Sequence, residues 1–199
     1  MSGAKNWPKI WFLRHGQTYW NAERRIQGQL ESELTPLGVQ HAHAQARIMR
    51  PILQQRPPCF VSPLGRAQQT AQIALGGLPF QNDDRLAEAH AGDWQGLLRD
   101  DVIRDHAATL PADISALELF LAAPGGEGFE AFEGRIAAFL DDLTEPSVIV
   151  AHGLLGQVLR GLIRGLRRAE MGALPNEQAC VYLLEEGREA ALRDDDKAE

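Results

Sequence analysis

Ile10-Trp11-Phe12-Leu13 is a short apolar run that stops abruptly at Arg14-His15-Gly16, and Ser147-Val148-Ile149-Val150-Ala151 stops the same way at His152-Gly153. Runs this short, apolar throughout and closed by glycine, read as strands buried on both faces that end in a turn. The chain between them supplies helices. Thr35 followed by Pro36 is a helix start, a hydroxyl cap with proline at the first helical position, and the stretch continues to about residue 53 before Pro57-Pro58 stops it. Cys59-Phe60-Val61 reads as a further strand, with Ser62-Pro63 at the start of a helix that runs through Arg66, Thr70 and Ala74 to Gly76-Gly77. Over residues 130–143 a stripe of Phe132, Ile136, Phe139, Leu140 and Leu143 marks a helix that feeds the strand before His152, and residues 154–166 make the helix after it. Val181-Tyr182-Leu183-Leu184 and Ala190-Ala191-Leu192 form a late hairpin turning at Glu186-Gly187. This alternation of strands and helices predicts an α/β fold, a three-layer α/β/α sandwich around a largely parallel mixed central sheet.

In an open α/β sheet, ligands bind beyond the carboxyl ends of the strands, where loops and helix N-termini converge. Arg14-His15 and His152 stand at such ends, and Arg66 arrives from the turn or first helical residues after the 59–61 strand. If the two histidine-bearing strands are neighbours, two imidazoles and two guanidiniums share one crevice. Arginine presents a rigid fork of donors that matches phosphate oxygens in pairs, so Arg14 with Arg66 favours a phosphate dianion over a neutral group. Helix N-termini after Gly16 and Gly153 are expected to add backbone N–H donors.

Leu13-Arg14-His15-Gly16-Gln17-Thr18 with Asn21 opens a series of motifs that spans nearly the whole chain. Gln27-Gly28, Leu34-Thr35 with Gly38, and Ser62-Pro63-Leu64-Gly65-Arg66-Ala67-Gln68-Gln69-Thr70-Ala71 follow. Glu88 with Gly92-Asp93-Trp94-Gln95-Gly96, Pro124-Gly125-Gly126-Glu127 and Ala151-His152-Gly153 complete it. In this order they resemble the histidine phosphatase superfamily, also called the phosphoglycerate mutase-like family. The resemblance implies that His15 attacks phosphorus in line to form a phosphohistidine, while Arg14, Arg66 and His152 stabilise the equatorial oxygens and Asn21 adds a hydrogen bond. It implies a neutral His15, oriented by a backbone carbonyl, beside a His152 that can be charged. Glu88 resembles the general acid, its protonated form favoured by the neighbouring phosphate, and it then activates water.

Asn21, Gln27, Gly28 and Gly153 are the expected substrate-binding positions, with a helix cap as the alternative role for Asn21. Gln17 and Gln95 stand where the family commonly has glutamate, and Glu31-Ser32-Glu33 replaces the usual Asp and Pro before Leu34-Thr35. The chain resembles the compact phosphatase branch, which implies hydrolysis of a small phosphomonoester with water as final acceptor. A phosphoglycerate mutase is the alternative, although mutases are usually longer around the acidic motif and at the C-terminus. They also carry a Gly-Trp pair where this chain has Gln27-Gly28-Gln29. A phospho-ligand-binding protein without catalysis is a second alternative, against which His15, Arg66, Glu88 and His152 stand together.

The 199 residues, 44% hydrophobic and 24% charged, suit one compact domain over residues 1–193, followed by an acidic tail over 194–199 expected to be disordered. A net charge of -7 argues against a general nucleic-acid binder. The chain has no apolar run of the roughly 20 residues that cross a bilayer and no signal-like start, so no membrane partner and a cytoplasmic location are expected. Cys59 and Cys180 have no ligand spacing and read as buried thiols, and no metal or other cofactor is implied. His41, His43 and His106 lie on polar helical stretches and are expected to be solvated, as are the charge runs at Asp100-Asp101 and Asp194-Asp195-Asp196. His90 either faces the pocket or fills its loop, Trp94 packs under the Glu88 loop, and Leu117-Glu118-Leu119-Phe120-Leu121 is either a pocket wall or a buried helix face. Nothing in the sequence defines an oligomeric interface.

Overall fold

A computed structural model describes residues 7–111 and 113–194. Strand β1 (Ile10–Arg14) leads through the single turn α1 (Tyr19–Ala22) to α2 (Pro36–Leu53), β2 (Cys59–Val61), α3 (Gly65–Ala74) and the short β3 (Gln81–Asn82). Turns of 3-10 helix at Asp84–Leu86 and Gly92–Trp94 precede α4 (Arg99–Asp105), α5 (Ala116–Leu121) and α6 (Gly128–Asp141). Then come β4 (Ser147–Ala151), α7 (Gly153–Arg164), α8 (Arg168–Gly172), β5 (Val181–Glu185) and β6 (Arg188–Leu192). The sheet order is β3-β2-β4-β1-β5-β6, with β3, β2, β4 and β1 mutually parallel and β5 and β6 antiparallel.

Side chains alternate across the strands, so each central strand fills two cores. Ile10, Phe12, Ile149 and Ala151 face Phe132, Ile136 and Phe139 of α6 and Leu155, Val158 and Leu159 of α7. Trp11, Leu13, Val148 and Val150 face Met49 of α2 and Ala67, Ala71 and Ala74 of α3. This is the three-layer mixed sandwich that the strand–helix alternation predicts. The α6–α7 layer lies so close to the sheet that a Cβ on Gly156 would come within 2.4 Å of the Phe12 ring.

Local chemistry sets most boundaries. Thr35 Oγ1 accepts from Gly38 N (3.0 Å) and Pro36 occupies the first turn of α2. Helix α7 stops at Arg164, short of the expected residue 166, because Gly165 turns left-handed (φ +66°) and lets Leu166 N reach back to Gly161 O (2.9 Å). The hairpin turns as expected, with φ +51° at Glu186 and +73° at Gly187. Helix α3 begins at Gly65 and not at Ser62-Pro63, since the Ser62 hydroxyl already serves Leu64 N (3.3 Å) and His152.

Four expectations for the periphery meet specific contacts. His106 stacks beside Trp94 (5.0 Å) and His41 is half-buried, so only His43 of the three is exposed. Trp94 is buried with Ala91 in a small core beside the Glu88 loop. Cys59 and Cys180 are buried free thiols, and burial pushes Cys59 up to about 11. Asp194 pairs with Arg47 of α2 (2.5 Å) and is not a loose tail residue; residues 195–199 of the acidic end lie outside the described residues. No helix among the described residues is long and apolar enough to cross a membrane.

Gly156→Ala should destabilise the fold by about 1–3 kcal/mol through overpacking against Phe12. Thermal unfolding would register this as a midpoint lowered by several degrees, and an unchanged midpoint would show that the α7–β1 contact yields.

Candidate active site

The two histidine strands are neighbours in register, Leu13 beside Val150 and Arg14 beside Ala151, and His15 N extends the ladder to Ala151 O (2.9 Å). The residues that leave these strands therefore meet. The His15 and His152 rings lie 5.2 Å apart, inclined at 61°. His15 Nδ1 sits 2.7 Å from Gly16 O. A carbonyl can only accept, so Nδ1 of the neutral ring carries the proton and Nε2 keeps the lone pair. His152 Nε2 lies 2.6 Å from Ser62 Oγ, and its Nδ1 is buried without a hydrogen-bond partner.

Burial, with Arg66 and Arg14 alongside, holds His15 well below the ordinary 6.5, and burial with Arg66 and His15 does the same to His152. Against the protein's own charges, both rings are neutral at pH 7. His15 is thus held in the neutral form that the resemblance implies, and burial opposes the charge that the resemblance allows on His152.

Arg66 stands in the first turn of α3, 2% exposed, donating through Nη2 to Gly28 O (2.7 Å) and through Nη1 to Leu30 O (3.0 Å). Burial lowers it to about 10, with the Glu88 charge opposing. Arg14 donates through Nη1 to Asn176 O. Burial lowers it as well. The Nε of each arginine is buried without a partner. Gln45 of α2 ties the end of β1 to the start of β5 by donating to Arg14 O (2.8 Å) and Cys180 O (3.1 Å). Gly153 leaves room for this packing, since a Cβ there would lie 2.5 Å from Asn176 Nδ2 and 3.2 Å from Arg14 Nε.

Glu88 accepts three backbone hydrogen bonds. Oε2 takes Leu154 N, while Oε1 takes Leu155 N and Ala89 N, each at 3.0 Å. Two of the amides that the start of α7 was expected to offer a phosphate, those of Leu154 and Leu155, are thus engaged by Glu88. The same holds after Gly16, whose N–H donates to Thr70 Oγ1 (3.1 Å), and α1 is capped by Thr18. Asn21 completes that cap, its Oδ1 accepting from Thr18 N (3.2 Å), so the helix-cap alternative describes its side chain. With its amide assigned so that both ends are satisfied, Gln27 donates to Thr18 Oγ1 (3.0 Å) and accepts from Ser32 N (3.2 Å) and Arg66 Nη1 (3.3 Å). Gln27 and Gly28 therefore both hold Arg66.

All the expected site residues except His152 line one cleft of about 160 Å³; His152 is wholly buried, its ring against that of His15. Arg25, Asn176, Ala116 and Phe120 line it too. The sequence offered no signal for Arg25 or Asn176. Ala116 and Phe120 share one face of α5 at a spacing of four, whereas Leu117, Leu119 and Leu121 are buried, so the 117–121 run serves as both pocket wall and core. His90 builds its loop, its Nδ1 accepting from Gly92 N (3.1 Å) and its Nε2 meeting Gln95 Nε2 (3.3 Å).

Residues 10–192 match the model of the histidine phosphatase superfamily (branch 1). The chain belongs to that superfamily and is a phosphoric monoester hydrolase by class. It is 36% identical over 176 residues to a glucosyl-3-phosphoglycerate phosphatase of Mycolicibacterium vanbaalenii, covering 79% of this chain and 75% of that protein. It is 34% identical over 163 residues to a probable phosphoglycerate mutase of Yersinia pestis, covering 78% and 74%. Among solved structures, Bacillus stearothermophilus YhfR matches with a TM-score of 0.79 at 27% identity over 96% of this chain and 98% of that one. A structure described as mycobacterial hydrolase 1 matches with a TM-score of 0.72 at 30% identity over 92% and 96%.

Two imidazoles held neutral by burial gain protons when the chain unfolds, so stability should decline as pH falls through 6.5, where the unfolded histidines titrate. Nitrogen NMR of the ligand-free protein should show His15 and His152 as neutral imidazoles at pH 6.5. Titration of either ring centred at 6.5 would contradict the burial argument.

Proposed function

We propose that the enzyme hydrolyses a small phosphomonoester through a phosphohistidine on His15, with no metal in the reaction. The observation that carries this reading is the hydrogen bond from His15 Nδ1 to Gly16 O, which aims a lone pair on Nε2 into a cleft shared with Arg14 and Arg66. Arg14 Nε, Arg66 Nε and His152 Nδ1 are buried and unpartnered around that ring. An unsatisfied buried polar group costs about 1–3 kcal/mol, so the two arginine donors, joined by His152 once it is protonated, favour an anion whose oxygens take their hydrogen bonds.

In this mechanism the phosphate dianion enters between the two arginines, and its charge favours protonation of His152, which then donates to an equatorial oxygen. Nε2 of His15 attacks phosphorus and the P–O bond to the alcohol breaks. Glu88 lines the same cleft and supplies the proton that the alkoxide takes up. To carry that proton, one carboxyl oxygen releases its backbone N–H at the start of α7. Glu88 then takes a proton from water as it attacks the phosphohistidine, and inorganic phosphate leaves.

The volume of the cleft suits a small leaving group, since it lies below the ~300 Å³ at which ligand pockets usually begin. The relatives include a phosphatase and a probable mutase, and the fate of the phosphoryl group separates the two. Incubation with phosphomonoesters in EDTA, without a bisphosphoglycerate primer, should release inorganic phosphate steadily. His15→Ala should lower kcat by about 10⁴-fold or more. Primer-dependent isomerisation with little phosphate release would assign a mutase instead, and activity lost in EDTA would contradict the metal-free reading.

A further inference from the structure

The motif Pro124-Gly125-Gly126-Glu127 lies outside the cleft, yet it grips the loop that carries Glu88. Glu127 N donates to His90 O (3.2 Å), and His90 N donates back to Glu127 Oε1 (3.0 Å). Gly126 permits this approach, since a Cβ there would lie 2.9 Å from His90 O. The Glu127 carboxylate also binds Arg135 of α6 in a two-point pair, Nε to Oε2 (3.0 Å) and Nη2 to Oε1 (2.9 Å). The remaining donors of that guanidinium hold the same loop from its other side. Nη2 donates to Glu88 O (3.1 Å) and Nη1 to Arg85 O (2.5 Å).

We propose that Glu127 and Arg135 are a pair of positioning residues that fix the peptide of Glu88, and through it the place of the carboxyl that protonates the leaving alkoxide. The inference rests on the reading of Glu88 as proton donor. Both side chains are largely withdrawn from water, with 18% and 19% of their surface exposed, so their pairing is less screened than one at the surface. Arg135 is further fixed by stacking over Phe132 (4.7 Å), which is anchored in the α6–α7 core. The backbone on both sides of Glu88 is therefore pinned, at the carbonyls of residues 85 and 88 and the N–H of residue 90. A shift of about 1 Å in a reacting group can cost on the order of a hundredfold in rate, which is the scale of effect this clamp prevents.

A clamp acting through the proton donor must matter most where the leaving group needs a proton. The test compares kcat/KM, which reports phosphoryl transfer to the enzyme, for p-nitrophenyl phosphate and for β-glycerol phosphate. The first expels a phenolate that leaves unprotonated, whereas the second expels a strongly basic alkoxide. Glu88→Gln should slow the alkyl ester by about a hundred- to ten-thousand-fold and the aryl ester far less. Glu127→Gln, which keeps shape and one acceptor, and Arg135→Lys should each slow the alkyl ester by about 10- to 100-fold. They should change the aryl ester by less than about threefold, a result that also shows the variant is folded. Glu127→Gln should add nothing once Glu88 is already glutamine.

Equal losses on both esters, no loss on either, or additivity with Glu88→Gln would overturn the positioning role while leaving Glu88 as donor. Equal losses in Glu88→Gln itself would remove the donor assignment, and the clamp's role with it. If Arg135→Lys fails to fold, Glu127→Gln decides the matter alone.

Discussion

Two guanidiniums, the buried Arg66 and the half-buried Arg14, stand together at the carboxyl end of the sheet, and neither forms a salt bridge among the described residues. Withdrawing a cation from water costs several kcal/mol, and here the offset comes from backbone carbonyls of Gly28, Leu30 and Asn176 and from the more distant charge of Glu88. Carbonyls satisfy donors without neutralising charge. The site consequently keeps a positive potential that an anion relieves, and the surrounding loops are shaped to present oxygens to arginine. Gly28, at φ +55°, turns its carbonyl to Arg66, while Gly153 gives Arg14 and Asn176 space.

The same positive field sets the histidines. Burial and the arginines keep both rings neutral, which preserves a lone pair on His15 for the proposed attack. In the proposed mechanism a bound dianion offsets that field at His152, so a third cation joins Arg14 and Arg66 only when substrate is present. Glu88 is held differently, by amides at the start of α7 and by a clamped peptide behind it. Neutral donors thus keep the carboxylate at the cleft without a salt bridge to Arg14 or Arg66.

The sheet and the central constellation were legible because they follow from short, regular signals. Two apolar runs ending in Arg14-His15 and His152 imply adjacent parallel strand ends, and β1 and β4 are paired in that way. Arg66 followed from the strand that precedes it, Glu88 and Asn21 from the resemblance of ordered motifs, and each lines the cleft. What escaped was tertiary. Arg25 and Asn176 enter from loops with no local pattern, and the separate faces of α5 emerge only once Leu117 and Phe120 have partners. The start of α7 met a tertiary competitor as well, since Glu88 is 66 residues from Leu154 and yet takes its N–H. His152 is a further case, because its protonation depends on Arg66 and on burial that no spacing reveals.

The central claim is that His15 is the nucleophile within this cationic cradle. Rapid mixing with a ³²P-labelled phosphomonoester, quenched in alkaline denaturant within the first turnover, tests it most directly. Label is expected on the protein, stable in base, lost in acid, located on His15, and formed and broken at rates compatible with turnover. Turnover with no phosphohistidine at any time point, or label on another residue with His15→Ala still active, would contradict it.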